Sequence, residues 1–161
     1  MIIVIECIIL CALFTIMVYI MSRNPIKTLY NYPPKIQERV KSLSEYKDKI
    51  PTKNDKILAK SLVSIFIIII ISLILRYING YTTFKEGFGY GLLIWTIVNI
   101  YDALVIDICW FCQSKKFVFK GTEDMTKEYH NYWFHIRESL KGELLALIIC
   151  SLVGLIIQFI L

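Results

Sequence analysis

Two aspartates lie in a stretch that is otherwise apolar enough for a membrane interior, "NIYDALVIDICWFC" at residues 99–112. A carboxylate near the centre of a membrane helix costs about 2.5–3.5 kcal/mol on insertion scales, whereas each Leu, Ile, Phe or Val returns about 0.3–0.6 kcal/mol. Asp102 and Asp107 therefore roughly cancel the contribution of the apolar residues around them. A helix with this sequence inserts poorly alone and needs partner helices, a water-filled cavity or protonated carboxyls.

The polar side chains of this helix share one side. At about 100° per residue, Thr96, Asn99, Asp102 and Asp107 fall within a face about 140° wide. The face predicts either steps of a proton or cation path or acidic binding site, or hydrogen bonds that hold helices together. A further alternative places Asp107 at the inner headgroup level, facing water. No lysine or arginine lies in the central part of a predicted span, so a salt bridge here would require Lys60 or a second subunit.

Two cysteines lie at the end of the same stretch, where Cys109 and Cys112 form "CWFC". Cys-x-x-Cys is the spacing of dithiol redox centres. It resembles the pairs of four-helix membrane thiol oxidoreductases that work with quinones, and over these four residues the resemblance implies a redox role. The alternative is a pair of buried, inert thiols, because the basic loops described below place the pair on the reducing cytoplasmic side.

A second set of reactive side chains precedes the last apolar run. If residues 122–141 form one helix, a single stripe of it carries Asp124, Glu128, His135 and Glu138. Such groups bind divalent metals or act as acid and base on a lipid headgroup. The stripe is about 21 Å long, so only neighbours such as His135 and Glu138 can share a ligand. A solvated polar face is the alternative, and no metal site is assigned.

The same predicted helix has Thr122 as its N-cap and is amphipathic. An apolar aromatic stripe that includes Trp133 runs beside a basic stripe that includes Lys127, which is typical of a helix in the headgroup region. Gly142 would then turn the chain into the last span. The alternative is a soluble cap packed on the first long connection. A shorter amphipathic helix at "PPKIQERVKSL", residues 33–43, lies either on the membrane or on the protein.

Four apolar runs position these groups. The chain has 161 residues, of which 57% are apolar and 19% charged, and its mean hydropathy of +0.60 exceeds that of a soluble domain. About 20 apolar residues cross the hydrocarbon core. The sequence predicts an all-α fold, a single-domain integral membrane four-helix bundle with short cytoplasmic amphipathic helices. Its spans are expected at about 2–21, 57–78, 88–112 and 144–161, with connections at 22–56 and 113–143. Gly87 and Gly91 offer either a close helix contact or a flexible entry loop.

Lysine and arginine residues orient the spans. Residues 21–60 hold ten of the 18, residues 113–142 hold six and residues 76–85 hold two. Basic loops stay in the cytoplasm, so both long connections are predicted inside and both termini outside the cell membrane. The net charge of +5 thus reflects topology, and nucleic acid is not an expected partner.

Three classes of function remain open at this point. The first is transport of an ion, a proton or a small solute past the aspartates, in a homo-oligomer or with another membrane subunit, because four short helices barely enclose a path. The second is a membrane enzyme acting on a lipid or lipid-linked substrate at the inner leaflet, with Asp107 and His135 as its chemistry. The third is a non-catalytic scaffold subunit of a membrane complex. No motif names a substrate or a cofactor.

Overall fold

The computed structural model describes residues 2–161, apart from the side chains of residues 53, 55, 56, 59 and 60. Within that part of the chain all regular structure is helical and there is no strand. Four helical stretches are long and apolar enough to cross a membrane. The predicted all-α class and the four apolar helices are therefore confirmed.

The described residues form six α-helices, and two of these continue into π-helical segments. The α-helices are α1 Ile2–Met21, α2 Pro34–Ser42, α3 Lys53–Leu73, α4 Phe84–Tyr101, α5 Thr126–Tyr129 and α6 Tyr132–Phe159. A π-helical segment at Ile74–Ile78 extends α3, and a second at Asp102–Phe111 extends α4. Short 3₁₀ turns lie in the two long connections, at Pro25–Asn31, Ser44–Lys49 and Lys115–Phe117.

The last helix begins well before the predicted span at 144–161. It starts at Tyr132, where the Asn131 side chain accepts a hydrogen bond from the Phe134 N–H at 3.1 Å. An amide at this position satisfies one of the free N–H groups of the first turn. The helix then runs straight through Gly142, so this glycine makes no turn at the membrane surface. The hydropathy pattern predicts the start of this helix too far along the chain, because the first turns of α6 carry polar residues.

The continuous helix expected over residues 122–141 does not form. Only one turn of helix, α5, precedes the break at residues 130–131. Thr122 does not cap a helix: its hydroxyl donates to the Phe119 carbonyl oxygen at 2.7 Å and lies 2.8 Å from the Tyr129 hydroxyl. Residues 122–130 are thus a compact turn region, and the predicted amphipathic surface helix is divided between it and α6.

The closest helix contact joins α4 and α6, which run antiparallel and touch along most of their length. A Cβ atom on Gly87 would lie 2.9 Å from the Gly154 Cα, and one on Gly154 would lie 2.8 Å from the Phe84 carbonyl oxygen. One turn further along α4, Gly91 faces Cys150 of α6. Glycine at these positions lets the two backbones approach directly, which is how small residues pack membrane helices.

The two long connections pack on each other at the opposite end of α4. Ile36 and Val40 of α2 are fully buried there. They share a core with Tyr32, Phe111 and Phe119, which come from both connections and from the end of the α4 extension. The apolar stripe of α2 therefore lies on the protein itself, and both long connections lie at the same end of the bundle.

The outward faces of the long helices expose large apolar side chains. Examples are Ile8 of α1, Phe66 of α3 and Leu144 of α6, which are 64%, 66% and 67% exposed. Apolar surface of this extent is rare on soluble monomers and is typical of contact with lipid.

We expect Gly154→Ala to lower the free energy of unfolding by about 1–3 kcal/mol, because the added methyl group meets the Phe84 backbone and cannot rotate away. Denaturant or thermal unfolding of the purified protein in detergent measures the change. The control is Gly89→Ala, since Gly89 lies in the same helix as Gly87 and has open space around it. Equal destabilisation by both changes would contradict the close contact.

Candidate functional site

The mid-helix polar residues of α4 face α6. The Asn99 side-chain amide donates to a Glu143 carboxylate oxygen at 2.7 Å and to the Ser139 carbonyl oxygen at 3.0 Å. The Asn99 oxygen accepts from the Ser139 hydroxyl at 3.2 Å. Thr96 donates to the other carboxylate oxygen of Glu143. The amide of Asn99 thus uses both of its N–H groups and its oxygen on one neighbouring helix.

Nearer the two long connections, Asp107 pairs with His135 of α6. The His135 Nδ1 and Asp107 Oδ2 atoms are 3.0 Å apart, and the histidine side chain is 3% exposed whereas the aspartate is 27% exposed. The rings of Phe111 and Phe134 enclose the imidazole, with ring centroids 5.0 and 5.2 Å away. Its Nε2 atom is buried without a hydrogen-bond partner. Donation from Nδ1 to the carboxylate leaves Nε2 as the basic nitrogen of the neutral ring.

Asp102 lies between these two groups of contacts, at the start of the π-helical extension of α4. A π-helix joins residues five apart, so Asp102 and Asp107 occupy successive turns. Among the described residues the Asp102 carboxyl has no hydrogen-bond or ion-pair partner, and it is partly buried. π-helical turns are rare and occur frequently at functional sites.

The contacts at these two levels, together with Asp102 between them along α4, make up what we call the polar seam. It comprises Thr96, Asn99, Asp102 and Asp107 of α4 and its extension, and His135, Ser139 and Glu143 of α6. The three α6 residues are spaced four apart, which places them on one face of that helix. The polar seam is roughly 15 Å long by helical rise. Beyond it, at the Gly87 end, the same helix pair is close-packed and apolar.

All four residues of the predicted polar face belong to the polar seam, and three of them contact α6. Lys60, the predicted salt-bridge partner within the chain, lies outside the described side chains. The partner of Asp107 is instead His135, from a segment that the sequence predicted to be cytoplasmic. Asp107 is thus both partly exposed and paired.

The structure does not bring the predicted acidic and histidine stripe together. Glu128 pairs with Lys35 of α2 at 2.6 Å, and Glu138 pairs with Lys141 at 2.5 Å. Asp124 is exposed in the turn before α5. The physical reason is the helix break at residues 130–131. Because α5 and α6 are two helices, their side chains do not share the common face that one continuous helix would give them. No group of three or more His, Cys, Asp or Glu side chains in the described part of the chain is placed to hold a metal ion.

The Cys109 and Cys112 thiols are both free, with Cys109 exposed and Cys112 buried. Cys112 is 3% exposed and packs in the aromatic core with Phe111 and Phe117. Because the thiolate is the reactive form, this environment favours the inert alternative over the redox one.

Sequence reasoning missed Glu143 and Ser139. The signal was available: His135, Ser139 and Glu143 recur every fourth residue immediately before an apolar run. The predicted surface helix over residues 122–141 obscured this pattern. In that prediction Glu143 lies at the boundary of a span and Ser139 lies on a solvated face.

No family model matches the chain, and neither a curated protein nor a solved structure does. Function is therefore inferred from the geometry of the site.

Glu143→Ala should lower the free energy of unfolding by about 1–2 kcal/mol, because two partly buried donors, on Thr96 and Asn99, lose their shared acceptor. Unfolding in detergent measures this change. Glu138→Ala is the matched control on the same helix: its pair with Lys141 is exposed, so the expected change is within about 0.5 kcal/mol. A larger loss from Glu138→Ala than from Glu143→Ala would contradict the assignment of Glu143 to the polar seam.

Proposed function

We propose that the protein is a small membrane transport protein that moves protons, alone or coupled to a small solute, along the polar seam. The observation that carries the proposal is the row of titratable groups between two apolar helices, from the Asp107 and His135 pair past Asp102 to Glu143. Acidic and histidine side chains inside membrane helices are costly, and they characteristically line ion pathways and proton relays. A structural role alone does not require a carboxyl without a partner, and Asp102 is such a group.

Each part of the polar seam has a role in this proposal. Asp107 is the residue at which protons enter the polar seam, because it is the more exposed member of the pair with His135. His135 takes up a proton at its free Nε2 atom and passes on the Nδ1 proton that it donates to Asp107, so that a proton crosses the ring between its two nitrogens. Asp102 is the next acceptor, one π turn deeper, and Glu143 is the deepest. Asn99 positions Glu143 through its hydrogen bond at 2.7 Å.

The test is proton flux into liposomes that contain the purified protein, a trapped pH-sensitive dye and an imposed potential. Asp102→Asn keeps the shape of the side chain and removes its titration, so we expect flux to fall to the level of protein-free liposomes. Asp107→Asn should do the same. The matched control is Asp124→Asn, which changes an exposed aspartate outside the polar seam and should leave flux unchanged. Wild-type flux in Asp102→Asn would refute the proposed path.

We also propose that the entry of the polar seam opens on the cytoplasm. The Asp107 end carries both long connections, and these hold 16 of the 18 lysine and arginine residues when counted over residues 21–60 and 113–142. Positively charged loops are retained inside. In this orientation both termini face outward. A second copy of the chain, or another membrane subunit, would complete the enclosure of the path.

Single cysteines introduced at exposed loop positions test the orientation. With a membrane-impermeant maleimide on intact cells, Thr82→Cys should label and Asp48→Cys should label only after the cells are opened. The unmodified protein gives the background from its own five cysteines. The reverse labelling pattern would contradict the proposed orientation.

One observation favours a second candidate, an enzyme acting on a lipid headgroup at the same surface. A histidine that is oriented by a carboxylate and has a free Nε2 atom is the arrangement of a general base. Incubation with vesicles of radiolabelled phospholipid, followed by a search for released headgroup, distinguishes the two functions. An enzyme would lose turnover in His135→Ala and keep it in Asp102→Asn, whereas a transporter loses flux in both. If both changes only reduce the yield of folded protein, the scaffold role is favoured.

A further inference from the structure

A second buried acid lies apart from the polar seam, on α1. Glu6 is 9% exposed, and one of its carboxyl oxygens, Oε2, accepts a hydrogen bond from the Asn79 side-chain amide at 3.2 Å. The other carboxyl oxygen, Oε1, and the Asn79 side-chain oxygen are both buried and have no hydrogen-bond partner. Two neighbouring side chains thus each present an acceptor that lacks a donor.

One proton on Glu6 would satisfy both atoms. A protonated carboxyl donates through its O–H to an amide oxygen while it accepts from the amide N–H, so the two groups form a closed pair with two hydrogen bonds. An ionised Glu6 would instead leave a buried negative charge with a single neutral hydrogen bond, which is unfavourable away from water. We infer that Glu6 carries a proton at neutral pH and holds it against Asn79, as a second proton-binding site of this protein.

The groups around Glu6 leave its charge without compensation. Among the described residues no lysine, arginine or histidine forms an ion pair with it. Arg76, at the end of α3, donates to the Tyr81 carbonyl oxygen at 3.3 Å. The thiols of Cys7 and Cys11 on α1 are neutral at pH 7 in their ordinary titration range. The rest of the neighbouring core is apolar and comprises Ile71, Leu75, Ile94, Val153 and Ile157.

The titratable groups on the facing loop and on α4 are Tyr81, Tyr90 and Glu86, and each has a partner of its own. Tyr81 stacks on Tyr90, with ring centroids 4.4 Å apart. Burial and the hydrogen bond with Tyr90 raise the pKa of Tyr81 to about 12, so Tyr81 stays neutral. Glu86 is held in a capping box, where its carboxylate accepts from the Thr83 N–H at 3.0 Å. Glu6 is therefore the group at this end of the bundle that binds the proton.

Because of its position, Glu6 adds a proton-binding group to the proposed transport path, and this role rests on the proposed function. The two helices α1 and α4 run in the same direction: Tyr19 stacks on Trp110 near the Asp107 end, and the Thr15 hydroxyl lies 2.8 Å from the Tyr101 hydroxyl beside the polar seam. Glu6 lies nine positions before Thr15 on α1, which is about 13 Å of helix toward the opposite surface. Glu6 thus provides a proton-binding group between the polar seam and the other side of the membrane.

Infrared difference spectroscopy of the full-length protein tests the inference, because a protonated carboxyl has a C=O stretching band that a carboxylate lacks. We expect this band at pH 7 in the wild type and its loss in Glu6→Gln. The glutamine amide can make the same two hydrogen bonds with Asn79, so the variant should fold and unfold as the wild type does. Asn79→Leu should move the band to higher frequency, because the carboxyl loses its acceptor. Glu45→Gln, an exposed change of the same kind, should leave the band unchanged.

A wild-type spectrum without this band at pH 7, or a band that Glu6→Gln leaves unchanged, would overturn the proton site. The liposome assay separates this result from a failure of the proposed function. If Glu6→Gln removes the band and the wild type conducts no protons, the proton site stands and transport is refuted. If the band is absent and flux depends on Asp102, transport stands and the Glu6 site is refuted. If the band is removed and flux is undiminished, Glu6 binds a proton but does not lie on the path.

Discussion

Hydrocarbon offers no hydrogen bonds, so polar groups on an apolar helix are stabilised by partners on another helix. For Thr96, Asn99 and Asp107 that helix is α6. Asn99 and Thr96 bond to Glu143, and Asp107 pairs with His135. Because His135 and Glu143 of α6 meet polar side chains on α4, neither helix is well suited to lipid alone. The pairing of the two helices is therefore the condition on which the rest of the bundle depends.

The two ends of this helix pair use different interactions to the same effect. At one end, Gly87 and Gly154 bring the backbones into direct contact, which dispersion forces stabilise. At the other end, the side chains of Asp107 and His135 bridge the helices and need more space. One antiparallel register satisfies both ends at once, so a shift by one residue would separate the glycines and the polar partners together. That requirement makes the register specific.

The long connections contribute to the site by closing one end of it. Phe111 packs both on the aromatic core of the connections, against Tyr32, and on the His135 imidazole. The histidine is consequently buried although the aspartate beside it remains partly exposed. In the proposed path, the partly exposed acid exchanges protons with the surroundings and the buried base passes them inward. Glu6, near the start of α1, has a different setting, since its hydrogen-bond partner is the neutral amide of Asn79.

The sequence by itself determined the helical class, the four apolar helices and the need to shelter the acidic side of the third one. These features depend on composition and on a local period, which are read along the chain. The partners of the acids depend on which residues of distant helices meet, and only tertiary packing decides that. His135 and Glu143 show the difference: both lay outside the predicted spans, because charged residues depress hydropathy, yet α6 begins at Tyr132 and carries both into contact with α4. Hydropathy measures affinity for lipid, whereas these side chains make their contacts with protein.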